Sequence, residues 1–279
     1  MFREKCTVID NKKVAPGHFV LRVGSSRIGR AAKPGQFVQI LCSNSFEPLL
    51  PRPFSFLTAS SRDFSILYQV VGTGTQLLSQ AKKGDTFSVT GPLGNGFLPE
   101  NQESCAVLVG GGVGIPPLYH LAEQRIKGKT KRKKENIHVF LGARDKSLLL
   151  CEKDFKELGV ELHIATDNGS KGHHGFITEI LDSFLRQRRP PLRRHPQLAE
   201  KVSRSVQIFT CGPTPMLKAV SFISQKYGVD CEVSVEVPMA CGFGACLGCA
   251  IKVKNNNTHR FAIACCEGPV FQGEAILWD

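Results

Sequence analysis

Over the first 97 residues, short apolar, β-rich runs recur at 7–9, 18–23, 37–42, 54–57, 64–71 and 86–90. Such runs read as strands, and Pro16-Gly17, Pro34-Gly35 and Lys83-Gly84-Asp85 separate them with turn residues. Six such strands with little helical periodicity predict an antiparallel six-stranded barrel over 1–98. At residue 103 the pattern changes. Strand-like runs at 106–109, 137–141, 160–165 and 206–210, the first of them wholly apolar, each pass through a turn into a helix-period stretch. That order predicts a parallel-sheet nucleotide-binding domain over 102–232. Residues 233–279 follow neither rule and form a small cysteine- and glycine-rich C-terminal segment. The expected fold class is thus β followed by α/β, with this segment appended.

No apolar run suffices to span a bilayer, because the longest, at 106–121, is broken by glycines and prolines. Met1-Phe2-Arg3-Glu4-Lys5-Cys6 has no apolar core or cleavage signal, so a cytoplasmic protein without a membrane partner is expected. The net charge of +12 invites a nucleic-acid reading. Its location opposes that reading. The runs 127–134 and 186–204 hold thirteen Lys and Arg against one acid, Glu200, and so carry all of the +12. Both fall at helix-to-strand junctions and lack stacking aromatics, so they read as solvated loops and no nucleic acid is expected.

The eleven cysteines are an odd number without a secretory signal, which disfavours a disulfide scaffold. Four residues separate Cys241 from Cys246, two separate Cys246 from Cys249, and Cys265 follows after fifteen more. This is the plant-type ligand spacing of a 2Fe–2S cluster, with Gly242, Gly244, Ala245 and Gly248 leaving room for backbone amides to face sulfur. A structural zinc site is the alternative, though zinc usually takes its thiolates as two short pairs. The eight histidines show no metal spacing.

Two barrel motifs suit a flavin. Arg52-Pro53-Phe54-Ser55 opens a strand with a guanidinium able to fork a phosphate, and Gly72-Thr73-Gly74-Thr75 leads into a helix predicted at 75–81. Free amides and a Thr75 hydroxyl at a helix start form an anion site, so together the motifs fit the pyrophosphate of FAD. In the second domain, Gly110-Gly111-Gly112-Val113-Gly114 follows a strand and precedes a helix with prolines in its first turn, which suits a dinucleotide phosphate. Gly111, Gly112 and Gly114 are its candidate residues, joined at the strand ends by Asp167 and by Cys211-Gly212-Pro213. Asp167 would repel a 2′-phosphate, which favours NAD over NADP. Cys211 has no His or acid near it in sequence to activate a thiolate, so a positioning role is expected. No catalytic acid or base is assigned.

With these motifs, together with Met239-Ala240-Cys241-Gly242 and the endings Cys265-Cys266-Glu267-Gly268-Pro269 and Ile276-Leu277-Trp278, the chain closely resembles the electron transfer subunits of dihydroorotate dehydrogenase B, in the ferredoxin reductase superfamily. The resemblance covers nearly the whole chain. It implies FAD contacts at Arg52, Pro53, Phe54, Ser55, Gln69, Val70, Val71, Gly74 and Thr75, and cluster ligands Cys241, Cys246, Cys249 and Cys265, with the family spacing selecting Cys265 over Cys266. It also implies an FMN-containing dihydroorotate dehydrogenase catalytic subunit as partner, two of each chain, and NAD+/NADH as the small-molecule partner, in pyrimidine biosynthesis. The basic stretch 186–204 departs from the family pattern. A related subunit of NAD-dependent ferredoxin:NADP oxidoreductases and sulfide dehydrogenases commonly carries aspartate where Cys241 stands. The rival readings are a flavin and iron–sulfur reductase serving another partner, and a redox- or iron-sensing module without catalysis.

Overall fold

The computed structural model describes residues 1–43, 45, 47–98, 104–127, 136–188, 206–256 and 258–278. The basic runs lie outside them except for residues 127 and 186–188.

Strands β1 (Phe2–Ala15), β2 (His18–Gly24), β3 (Phe37–Leu41), β4 (Arg52–Ala59), β5 (Asp63–Gln69) and β6 (Thr86–Leu93) close a barrel in the order β1-β2-β5-β4-β3-β6, with every pair antiparallel. Inward positions supply its core, including Leu21, Ile40, Phe56, Phe64 and Ile66. Helices α1 (Arg27–Ala31) and α2 (Thr73–Ser79) interrupt the strands. Helix α2 starts two residues earlier than the pattern predicts. The Thr75 hydroxyl accepts the amide N–H groups of Val71 (2.9 Å) and Gly72 (3.2 Å) and donates to the Gly72 carbonyl (3.0 Å), drawing that turn into the helix.

The second unit alternates as expected through β7 (Cys105–Gly111), α3 (Ile115–Ile126), β8 (Ile137–Ala143), α4 (Glu152–Leu158), β9 (Glu161–Thr166), β10 (His173–His174), α5 (Ile177–Arg188), β11 (Val206–Cys211), α6 (Thr214–Tyr227) and β12 (Asp230–Ser234). Strands β7 and β11 are buried along their whole lengths, as central strands of a covered parallel sheet must be; β7 reads as an unbroken apolar run, while β11 buries the polar Gln207 and Thr210 as well. Pro116 and Pro117 fall in the first turn of α3, where an absent N–H costs no helix bond.

The C-terminal segment supplies the hairpin β13 (Ala250–Asn255) and β14 (Thr258–Ile263), and then β15 (Val270–Gln272). Strand β15 joins the edge of the large sheet antiparallel to β12, giving the order β10-β9-β8-β7-β11-β12-β15. The sheet is therefore mixed rather than wholly parallel. A three-residue strand carries too little pattern to be read from sequence.

Candidate functional site

Strands β7 and β11 are neighbours, yet the chain leaves β7 toward β8 and leaves β11 toward β12 on the other side. In open α/β sheets a ligand crevice forms at such a reversal, beyond the carboxyl ends of the strands. A cleft of about 750 Å³ lies there. Gly111, Gly112, Asp167 and Pro213 line it from the sheet side, and Gln69 lines it from the barrel, so five of the residues proposed from sequence share one wall system.

The glycines do separate jobs. Gly112 has φ +55° and no atom within 4 Å of where a Cβ would stand, so the left-handed turn keeps the cleft floor open. Gly114 is buried, and a Cβ there would meet the Cys211 backbone at 2.4 Å, so its role is to let the two strand-end turns touch. A Cβ on Gly212 would stand 3.1 Å from the Gly111 carbonyl oxygen, completing the same contact. Cys211 lies beneath the cleft rather than on its wall. Burial pushes its thiol up to about 12 against a hydrogen bond with Ser234, so the sulfur is neutral and unsuited to nucleophilic attack.

The cleft also takes His18 from the barrel, Arg144 from the end of β8, Phe176, and Glu236 just past β12. The assignment from sequence omits these four. Arg144 carried a signal, being at a strand end, whereas His18 faces the cleft only because the two units pack together.

The barrel candidates gather at one corner. Arg52 starts β4 and donates from Nη1 to the Leu50 carbonyl at 2.7 Å. A Cβ on Gly74 would stand 3.3 Å from Arg52 Nε, so the guanidinium lies against the start of α2 and the two motifs form one place. A cation held by backbone carbonyls over a residue without a side chain fits a pyrophosphate. The Thr75 hydroxyl, expected as a free donor there, is instead committed to its own turn. Pro53, Phe54 and Ser55 pair with Gln39, Val38 and Phe37 of β3, and Phe54 meets Tyr68 edge-on at 5.8 Å. Val70 donates its N–H to the Gly17 carbonyl at 2.8 Å, and Val71 beyond it is exposed.

The four cysteines proposed as ligands come together from two directions. Cys241 and Cys246 sit on a surface loop, while Cys249 and Cys265 are buried with Phe37, Leu93 and Ala264. Amide N–H groups point at sulfur, from Gly244 to Cys265 Sγ (3.1 Å) and from Cys265 to Cys249 Sγ (3.4 Å). Burial raises the Cys241 thiol, but the amides of Phe243, Cys246 and Ala245 and the Cys246 thiol together bring it down to about 6. Burial and the neighbouring Cys249 and Cys266 thiols raise Cys265, an effect that a coordinated cation reverses. Among the described residues, three ligating atoms lie within 4.8 Å of one another only at His138, Glu161 and His163. No three of the cysteine sulfurs do so, as a mononuclear zinc site would require. A 2Fe–2S cluster needs only two thiolates on each iron, and the donor set fits it.

The histidine group is a local hydrogen-bonded stack on β8 and β9. Arg188 donates to His138 Nε2 at 3.1 Å, and burial lowers the pKa of both histidines, His138 to about 4. A guanidinium on the ring suits neutral packing better than a bound cation.

The model for the iron–sulfur cluster binding domain of dihydroorotate dehydrogenase B matches residues 236–277, and that for the oxidoreductase NAD-binding domain matches 108–221. The dihydroorotate dehydrogenase B (NAD(+)) electron transfer subunit of Desulforamulus reducens is 35% identical over 268 residues, 95% of each chain. The subunit of the same name from Caldanaerobacter subterraneus subsp. tengcongensis is 37% identical over 278 residues, 99% of each. The chain belongs to the family of dihydroorotate dehydrogenase B electron transfer subunits.

A solved NADH-dependent reduced ferredoxin-NADP oxidoreductase has a chain 31% identical to this subunit, with TM-score 0.80 over 98% of this chain and 90% of that one. The Amycolatopsis cytochrome P450 reductase GcoB, 20% identical with TM-score 0.62 over 81% of this chain and 66% of its own, shares the ferredoxin reductase-like fold. This family member is an NAD-binding oxidoreductase subunit whose cofactors are FAD, an iron–sulfur cluster and NAD. None of its described helices is long and apolar enough to cross a membrane.

Proposed function

We propose that this chain takes electrons from the FMN of a dihydroorotate dehydrogenase catalytic subunit through a 2Fe–2S cluster and FAD to NAD+, in pyrimidine (UMP) biosynthesis. When bound, the nicotinamide moves a hydride, the cluster moves single electrons and the flavin exchanges both, which places the flavin between the other two.

The observation that carries this reading is the position of the barrel. On one side His18 and Gln69 line the nucleotide cleft. On the other, Asn95 and Gln39 meet the segment that bears the cysteines. A cofactor held by the barrel therefore has the nucleotide on one flank and the cluster on the other. In this reading 1–98 hold FAD, 102–232 hold NAD and 233–279 hold the cluster.

Each residue then has a bounded task. Arg52 and the turn at Gly74 receive the flavin pyrophosphate, with Thr75 keeping that turn rigid, and Pro53, Phe54, Ser55 and the strand end at Gln69, Val70 and Val71 receive the rest of FAD. Gly111, Gly112 and Gly114 admit the dinucleotide, Asp167 favours NAD over its 2′-phosphate, and Cys211, Gly212 and Pro213 shape the floor. Cys241, Cys246, Cys249 and Cys265 hold iron. Phe243 and Leu247 are exposed on either side of Cys246, an apolar rim suited to the catalytic partner, taken here as two copies of each chain. The seven other cysteines, none of them in a disulfide, suit a reducing cytoplasm.

The test is anaerobic purification followed by assay. The chain is expected to be coloured by flavin and iron–sulfide and to oxidise NADH with artificial acceptors. It should oxidise dihydroorotate only after the catalytic subunit is added. Dihydroorotate turnover by the single chain, or a colourless zinc-containing preparation, overturns the proposal.

A further inference from the structure

Gln39 lies in the middle of β3 and is only 2% exposed, yet neither its Nε2 nor its Oε1 has a hydrogen-bond partner. An unpaired buried amide is costly because it has given up its water without gaining a partner, so such a group calls for something to bind. Its direction is set by strand geometry, because side chains two apart share a face. Phe37, two residues back, packs against Cys249 and Cys265. Gln39 points the same way, and the opposing position on β4 is Pro53, whose side chain offers neither donor nor acceptor.

Across from Gln39 is Gly242, next to Cys241. A Cβ on Gly242 would stand 2.7 Å from Gln39 Cγ and 2.9 Å from Nε2. Gly242 has φ +83°, so its backbone and its neighbour both favour the absence of a side chain. The loop thus opens a gap that the carboxamide fills, while its amide hydrogens remain unspent.

We propose that Gln39 is a positioning residue for the iron–sulfur cluster, its Nε2–H donating to a sulfur of the group held by Cys241, Cys246, Cys249 and Cys265. This rests on the reading of those cysteines given above. Hydrogen bonds to cluster sulfurs are among the factors that set cluster potential, and a donor favours the more negative, reduced form. Gln39 therefore raises the reduction potential of the cluster.

The experiment compares the full chain, purified anaerobically, as wild type, Gln39→Met and Gln39→His. Methionine preserves length without a donor, and histidine restores an N–H. Iron and sulfide content, the electron paramagnetic resonance spectrum of the reduced cluster, and cluster and flavin potentials are measured separately. Gln39→Met is expected to keep flavin and cluster and to weaken cluster reduction severalfold, up to about tenfold or 59 mV for a one-electron couple. Gln39→His should recover most of that shift, and the flavin potential should stay put in both. If Gln39→Met loses the cluster and Gln39→His retains it, the assignment also stands. An unchanged cluster potential and spectrum in Gln39→Met, a shift confined to the flavin, or cluster loss in both variants with unchanged melting overturns it. A wild-type chain without iron and sulfide removes the underlying cluster reading before any variant is compared.

Discussion

Asn95 on the barrel donates from Nδ2 to the carbonyl oxygen of Cys266, beside the last proposed cluster ligand, at 3.1 Å. The same amide reaches the Glu267 carbonyl at 3.0 Å, and the Asn95 backbone pairs with Gly268. One exposed side chain thus ties the barrel to the segment that carries Cys265. Asn95→Ala removes both side-chain bonds and is expected to cost about 1 kcal/mol of docking, because exposed neutral bonds contribute modestly. A chelator should strip iron severalfold faster from the variant, with FAD content unchanged. Equal rates would show that Asn95 does not hold the segment.

Helix α3 meets the barrel through His120, which is fully buried with its ring 6.3 Å from that of Phe56. Burial, helped by Lys127, brings its pKa from 6.5 down to about 4. The unfolded chain takes up this proton near pH 6.5 and the folded chain only near 4. The contribution of neutral His120 is therefore complete above 6.5 and is lost as pH falls toward 4. Buried His138 shifts in the same direction over the same range. Urea midpoints are expected to fall between these pH values, and His120→Leu should flatten part of that slope. An unaltered slope would place the titration elsewhere.

What could be read before folding was whatever leaves a local pattern. The β-rich runs of the barrel, the unbroken apolar run of β7, and the spacing of Cys241, Cys246 and Cys249 are properties of neighbouring residues. Contacts across units are not. Nothing near His18 marks it as lining the cleft, and nothing near Gln39 marks it as facing Gly242. The pairing of β15 with β12 likewise depends on where a three-residue strand is delivered. Thr75 shows a further limit. Its type and place suit an anion donor, yet in the folded turn the hydroxyl is occupied by Val71 and Gly72.

Arg52 and Gly114 separate the two nucleotide sites experimentally. A charged hydrogen bond is worth about 1.5–3 kcal/mol, so Arg52→Ala is expected to weaken FAD binding by roughly ten- to a hundredfold. The readout is flavin retained after gel filtration, with iron content unchanged.

Gly114→Ala acts through sterics instead. A methyl group 2.4 Å from the Cys211 backbone cannot be accommodated by rotating a side chain, so the two turns must move apart. Overpacking of this kind costs about 1–3 kcal/mol or more. NADH affinity should fall at least tenfold while FAD remains bound, measured by titration of the purified variant.

Cys265 and Cys266 compete for one role, and their surroundings differ. Cys265 is buried against Phe37 and Leu93 and accepts the Gly244 N–H at 3.1 Å. Cys266 is exposed, with its sulfur 3.8 Å from that of Cys265 and 2.7 Å from where a Cβ on Gly244 would stand. A ligand sulfur needs amide donors and a fixed direction, and only Cys265 has both. Cys266→Ser is therefore expected to keep full iron, sulfide and visible absorbance. Cys265→Ser should lose most of the cluster, leaving a small remnant where the adjacent Cys266 thiol swings in, and the double variant should lose that remnant. If Cys266→Ser instead proves the more damaging of the two single changes, the fourth ligand lies one residue later and the barrel packs against a bystander.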